Sequence, residues 1–138
     1  MLVVDGKGQV FGRMASKIAK ALLGGEEVLL INAEKIILVG PKEYILEKFK
    51  TRRSWKNKAN PEHSPHWPRR PDLLVKRMIR GMLPRKKATG RLALKRLKVI
   101  IGNPDNLEGV QFEEAKPKRL KSYMTIEELV SNLGWRNG

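Results

Sequence analysis

A chain of 138 residues with 41% hydrophobic side chains has the length of one domain and enough apolar residues for a buried core. The chain has no cysteine, which excludes disulfides, thiolate zinc sites and cysteine nucleophiles. Its 29 basic and 14 acidic residues give a net charge of +15, which indicates an anionic partner.

The N-terminal part alternates between strand and helix patterns. Apolar residues spaced three and four apart over 11–23 predict an amphipathic helix that a Gly-Gly pair ends. A second helix is expected after Pro41, carrying Tyr44, Ile45, Leu46 and Phe49. Short apolar runs predict strands at Leu2–Asp5, Val28–Ile31 and Ile36–Val39. This alternation indicates a parallel α/β layer.

The middle of the chain has a different pattern. Four prolines within 61–71 disfavour a continuous helix or a central strand, so we expect an extended loop over 54–71. A helix is expected from Pro71 to about Leu83, followed by a basic loop over 85–91 and a short helix over 92–97. The apolar face of the first of these helices is predicted to contain Leu74, Val75, Met78, Ile79 and Met82.

The C-terminal part contains fewer regular patterns. A strand is predicted at Leu97–Ile101, and the polar stretch 105–122 is expected to be irregular. In the last helix, Thr125 and Glu128 are spaced as a capping box, and Gly134 marks the end. No stretch approaches the ~18 apolar residues of a membrane span, and the N-terminus lacks the basic start of a signal peptide. We therefore expect a soluble cytoplasmic protein.

All of the net charge lies in the middle third of the chain. The 49 residues from Lys48 to Arg96, hereafter the basic segment, contain 17 Lys or Arg and only two acids. Residues 1–47 and 97–138 each contain 6 basic and 6 acidic residues, so both flanks are neutral. This distribution favours a polyphosphate partner over a merely solvated face. Since no helix-turn-helix or zinc-finger pattern is present, RNA is favoured over DNA as the partner. The remaining alternative partner is an anionic membrane surface.

The predicted RNA contacts are cations of the basic segment and two other residues. Guanidinium groups match phosphate oxygens, Trp67 offers a stacking or packing surface, and Gly81 allows a close approach of the backbone. The predicted set comprises Lys48, Lys50, Arg52, Arg53, Trp67, Arg69, Arg70, Lys76, Arg77, Arg80, Gly81, Arg85, Lys86, Lys87, Arg91, Lys95 and Arg96.

A glycine-rich turn at Gly6–Gly12 suggests an alternative function, a small Rossmann-like nucleotide-binding protein. The turn follows a strand and opens a helix, as a dinucleotide-binding turn does. However, three residues separate its last two glycines where the usual motif has two, and the second strand ends at Asn32 rather than at an acid. The other interpretation is a tight strand-to-helix turn in which glycine relieves steric strain.

Other chemistry has little support in the sequence. His63 and His66 could bind a metal, but a zinc site needs a third or fourth ligand. No spacing indicates a serine triad, a phosphate-binding Gly-Lys-Thr loop or a matched pair of carboxylates. We therefore predict no enzymatic activity, no cofactor, no metal and no small-molecule substrate.

A resemblance to a known family is carried by Met78-Ile79-Arg80-Gly81-Met82-Leu83-Pro84, followed by Gly90-Arg91 and Leu97-Lys98-Val99. These motifs resemble ribosomal protein thirteen of the large subunit. The stretches at 11–16 and 28–34 are similar to the first helix and second strand of that family. The C-terminal stretch 125–135 resembles the archaeal and eukaryotic branch, and Asn103-Pro104-Asp105 departs from the bacterial His-Pro segment.

The resemblance implies a three-layer α/β/α domain with a four-stranded, mainly parallel sheet and a basic extension. The chain 1–138 would then be a single ribosomal-protein domain that contains the basic segment. The implied function is that of a structural constituent of the large ribosomal subunit, which binds and stabilises large-subunit rRNA and contributes to assembly and translation. The implied partners are large-subunit rRNA and neighbouring large-subunit ribosomal proteins, with no membrane.

Overall fold

The computed structural model of the chain describes residues 1–54, 68, 70–84, 86–118 and 122–135, which contain five strands and five α-helices. The strands are β1 (Leu2–Asp5), β2 (Val28–Ile31), β3 (Ile37–Val39), β4 (Leu97–Val99) and β5 (Tyr123–Thr125). The α-helices are α1 (Phe11–Leu23), α2 (Lys42–Ser54), α3 (Pro71–Arg80), α4 (Ala88–Lys95) and α5 (Ile126–Asn132). Short 3-10 turns occur at Ala33–Lys35 and Glu113–Ala115. The fold is therefore mixed α/β, as the sequence predicts.

A parallel sheet of β1, β2 and β4, with β2 in the centre, organises the fold. Leu30 in β2 pairs with Val4 on one side and with Val99 on the other. β1 and β2 are parallel because α1 forms the crossover between them. Val28, Leu30 and Ile31 are at most 1% exposed, which explains why β2 is a continuous apolar run rather than an alternating one.

The described part of the parallel sheet has three strands rather than the expected four. A single residue, Val110, occupies the free edge of β1. The Asp5 amide donates to the Val110 carbonyl at 3.0 Å, and the Val110 amide donates to the Val3 carbonyl at 2.8 Å. Gly109 permits this approach, since a Cβ there would lie 2.7 Å from the Asp5 nitrogen. The pairing ends after one residue because the chain turns towards Gln9, whose side-chain oxygen accepts from the Phe112 amide.

The prediction that the third strand belongs to the parallel layer is wrong. β3 pairs antiparallel with β5 in a separate two-stranded sheet, with Leu38 opposite Met124. β5 was not predicted, because its three residues are too few to show an alternating pattern. One parallel bridge, between Val10 and Ile37, connects β3 to the start of α1.

Several helix boundaries differ from the predicted ones. α2 continues to Ser54, so it carries the first cations of the basic segment. α3 ends at Arg80 rather than at Leu83, and Met82 beyond it is 42% exposed instead of lying in the core. α4 begins at Ala88, so the second half of the predicted basic loop over 85–91 is helical.

One contiguous hydrophobic cluster connects the helices to the sheet within the described residues. Its largest fully buried side chains on helices are Met14, Ile18, Leu22, Leu74, Ile79, Ile126 and Leu129. Within this part of the chain, no helix combines the length and the apolar character needed to cross a membrane.

The last helix confirms the predicted start and end. The Thr125 hydroxyl accepts from the Glu128 amide at 3.2 Å, and Gly134 has a φ of +104°. The Glu128 carboxylate does not close the capping box, because it accepts from the Lys42 ammonium group at 2.8 Å. This hydrogen bond raises the pKa of Lys42 and connects α5 to the start of α2.

We predict that Gly90→Ala destabilises the fold by about 1–3 kcal/mol, because a Cβ at this helical position would lie 2.0 Å from the Pro84 carbonyl oxygen. The matched control is Gly12→Ala on α1, where nothing lies within 4 Å of the added atom. The control is expected to gain up to about 1 kcal/mol from helix propensity. Denaturant unfolding of both variants measures the two changes, and an equal effect at both positions would contradict the steric argument.

Candidate nucleic-acid interface

Most of the described cations of the basic segment lie on three helices, α2, α3 and α4. On α3, Leu74, Val75 and Ile79 face the core, which leaves Arg77 and Arg80 half-buried on the remaining surface. α2 packs against β5 and α5, and α4 packs against α1 and β4. The positions of the cations therefore follow from the apolar faces of helices that are anchored to the core.

A groove of about 570 Å³ lies between α2, α3, β3 and the first turn of α1; we call it the α2–α3 groove. Lys48, Arg52 and Arg77 line it, together with the exposed Gly81. The Arg52 guanidinium carbon lies 5.3 Å from the centroid of the Phe49 ring, which is a cation–π distance. The apolar lining residues are Val10, Phe11, Ile37, Leu38, Val39, Tyr44, Ile45, Phe49 and Met78.

A second concavity of about 380 Å³, the α3–α4 cleft, lies between the end of α3 and α4. Its cations are Arg80, Lys86 and Arg91, and its remaining lining residues are Leu83, Gly90 and Leu94. Arg77 in the groove and Arg80 in the cleft are three residues apart on α3, so both concavities adjoin the last turn of that helix. Neither concavity has an acidic side chain among its described lining residues, so both favour anions.

Some predicted RNA-contact residues stabilise the protein itself. The Lys76 ammonium group donates to the Leu97 carbonyl at 3.0 Å, and the Arg96 guanidinium donates to the Leu22 carbonyl at 3.0 Å. Arg70 donates to the Asp72 carboxylate at 3.0 Å at the start of α3. The two carbonyl acceptors lie 21 and 74 positions away in the sequence, so no local pattern could reveal these contacts.

The remaining described cations are exposed outside the groove and the cleft. Lys50 lies about 200° around α2 from Lys48, on the other side of the helix. Lys87 directly precedes α4, and Lys95 lies in a third concavity beside Lys98, which was not in the predicted set. These lysines extend the positive surface beyond the two concavities.

Some predicted residues lie outside the described part of the chain. They are Trp67, Arg69, Arg85 and the side chain of Arg53. The histidines of the possible metal site and most of the predicted loop over 54–71 also lie there.

Tyr44 and Gly12 line the groove beside its cations but were not among the predicted RNA contacts. Tyr44 was predicted only as a residue of the helix after Pro41, and it lines the groove with 63% of its surface exposed. Gly12 belongs to the glycine-rich turn and lines the groove from the first turn of α1. Tyr44 lies one turn before Lys48 on α2, so helical spacing could have placed it beside that cation, whereas Gly12 reaches the groove only through the packing of α1 against β3.

The glycine-rich turn is a structural connection between β1 and α1. The five backbone amides from Gly6 to Val10 all donate within the protein. Their acceptors are, in chain order, Ile31 O, Asp5 Oδ1, Lys35 O, Gly6 O and Ala115 O. A dinucleotide-binding turn holds its pyrophosphate with such amides, and here they are already used. Gly6 also has no room for a side chain, since a Cβ there would lie 2.7 Å from Ile36 Cγ1.

Comparison with known proteins identifies a family. The model of the family described as Ribosomal protein L13 matches residues 1–106. The chain is 44% identical to large ribosomal subunit protein uL13 of Methanocaldococcus jannaschii over 97% of this chain and 98% of the relative. It is 46% identical to the uL13 of Methanosphaera stadtmanae over 96% of each chain. The uL13 of Aeropyrum pernix is 44% identical over 99% of this chain and 92% of the relative. The similarity to these archaeal proteins therefore continues beyond the residues that the family model matches.

We predict that Arg96→Met lowers the free energy of unfolding by about 1 kcal/mol, because the substitution removes a charged hydrogen bond to the end of α1. Lys87→Met removes the same charge from an exposed position and is expected to stay within about 0.5 kcal/mol of the parent. Denaturant unfolding of both variants measures the difference. Equal stability of the two would mean that Arg96 does not support the fold.

Proposed function

Since the chain belongs to the ribosomal protein L13 family, we propose that it is a structural constituent of the large ribosomal subunit that binds and stabilises large-subunit rRNA. Its role is non-enzymatic. The observation that carries the proposal is the pair of concavities at the end of α3, whose described charged lining residues are all cations. A protein that must sit on a polyphosphate chain needs such a surface.

The affinity of the two concavities for RNA is expected to depend on the salt concentration. Each phosphate neutralised by a Lys or Arg releases condensed counterions, so affinity falls as the salt concentration rises. The arginines bind phosphate oxygens through two parallel N–H donors, whereas Lys48 and Lys86 act as point charges. Because all of these cations except Lys86 lie on folded helices, little backbone entropy is lost when RNA docks.

The rRNA-contact residues are proposed in two groups. Lys48, Arg52, Arg77 and Gly81 line the groove, and Arg80, Lys86 and Arg91 line the cleft. Lys50, Lys87 and Lys95 extend the contact as exposed cations. Three other predicted contact residues each donate a hydrogen bond within the protein: Lys76, Arg70 and Arg96. Their main role is to stabilise the fold, and their remaining N–H groups are proposed to contact RNA.

The relatives' names include the large ribosomal subunit, which supports two partner classes for this chain. These are large-subunit rRNA and neighbouring proteins of that subunit, in the cytoplasm where translation takes place. The contiguous core of the described residues supports the proposal that 1–138 forms one domain with the basic segment inside it. The three-layer arrangement and the four-stranded sheet implied by the resemblance stay predictions.

We predict that the double variant Arg80→Gln, Arg91→Gln binds large-subunit rRNA more weakly and with a shallower salt dependence. The slope of log affinity against log salt is expected to decrease by about 0.7–0.9 for each phosphate that the variant no longer neutralises. Filter binding of an rRNA transcript at several salt concentrations measures the slope.

The control Lys20→Gln, Lys35→Gln removes the same charge from exposed sites in the neutral flank 1–47. It is expected to keep the slope of the parent protein. If the slope decreased equally in the two double variants, net charge alone would explain binding and the cleft would have no special role.

A further inference from the structure

We propose that the α2–α3 groove holds one unpaired nucleotide of RNA, with its base on the apolar lining and its phosphate at the cations. This inference rests on the proposed function and specifies what the groove binds. An RNA surface that offers only phosphates would leave most of the groove uncovered, because its lining is largely apolar.

The apolar lining suits the face of a base. Tyr44 is 63% exposed and Val39 is 52% exposed, and both line the groove. Bases stack readily on exposed aromatic side chains, at about 1–3 kcal/mol per base. The volume of about 570 Å³ lies within the roughly 300–1,000 Å³ of pockets that bind small molecules.

The charged part of the groove suits a phosphate. Lys48 and Arg52 are one turn apart on α2, and Arg77 lies on the facing helix α3. Phe11 and Gly12 belong to the first turn of α1, where the helix dipole places partial positive charge. None of the described residues that line the groove is acidic.

An unpaired nucleotide combines both requirements. In a duplex the base faces are stacked on one another. A paired strand could therefore present phosphate and ribose to this groove, but no face of a base. A peptide with acidic side chains alone would pair with the cations but leave the apolar lining uncovered, so the competing occupant is a peptide that combines acidic and aromatic side chains. A bulged nucleotide offers a planar apolar group and a phosphate within one residue.

Gly12 provides a way to block the groove. A Cβ at this position would have no atom within 4 Å, so the first atom of a larger side chain has space there. Gly12→Leu therefore places a hydrocarbon side chain at the groove without a steric clash at Cβ. Ser16→Leu, one turn further along α1 at an exposed position outside the groove, is the matched control.

The experiment compares two RNA hairpins that differ only in one bulged adenosine. We expect the full-length protein to bind the bulged hairpin at least about 5-fold more tightly than the fully paired one in fluorescence anisotropy. Gly12→Leu and Tyr44→Ala should lose this preference, Tyr44→Phe should keep most of it, and Ser16→Leu should match the parent protein. Circular dichroism of each variant checks that it is folded, and the exposed Tyr44 gives a second test if Gly12→Leu fails to fold.

Equal affinity of the parent protein for the two hairpins, with strong salt dependence for both, would overturn this inference and leave the proposed function intact. Absence of salt-dependent binding to rRNA would overturn the proposed function itself. A peptide of alternating Glu and Phe residues tests the competing occupant. If Gly12→Leu abolished binding of that peptide but left the preference for bulged RNA unchanged, the groove would be a protein-docking site and the inference would be wrong.

Discussion

The apolar face of α3 is the contact on which both the fold and the basic surface depend. Leu74, Val75 and Ile79 are fully buried, and α3 contacts α1, β4, α5 and the turn at Ala33–Lys35. Burial of side chains of this kind contributes about 1.5–3 kcal/mol each. This stabilisation opposes the mutual repulsion of a chain with a net charge of +15. The same helix ends at Arg80 between the groove and the cleft, so its packing determines where the positive surface lies.

The cations of this surface have two different roles. Arg96 and Lys76 each donate to a backbone carbonyl, of α1 and β4 respectively, and thereby hold the sheet and helices together. Lys86 and Arg91 are exposed in the cleft and available to an anion. Under the proposed function, RNA would bind the folded form and would therefore stabilise it by mass action. Such binding would offset the mutual repulsion of the cations in the isolated protein.

The parts of the fold that follow from local patterns were predictable. The sequence predictions for β1, α1 and β2 are confirmed residue by residue, because each is a short buried run or a strong amphipathic pattern. The pairing of β3 with β5 was not predictable, because a partner 84 or more positions along the chain leaves no local signal. Likewise, the charge count identified the cations, but it could not separate Arg96 from Arg91. That difference depends on whether a carbonyl such as that of Leu22 lies within reach.

The glycine-rich turn illustrates why a motif alone does not define a site. Its amides satisfy acceptors on three other segments, and the Gln111 side chain donates to the Lys7 carbonyl at 2.8 Å, so the turn is covered by the chain that follows Gly109. A nucleotide-binding turn needs the opposite arrangement, in which the backbone amides have no acceptor within the protein and can donate to a phosphate. One residue beyond the covered amides, α1 begins, and its first turn faces the α2–α3 groove instead. The chemistry of this turn is therefore determined by what packs on each of its sides: protein on Gly6–Val10, and an open basic groove at Gly12.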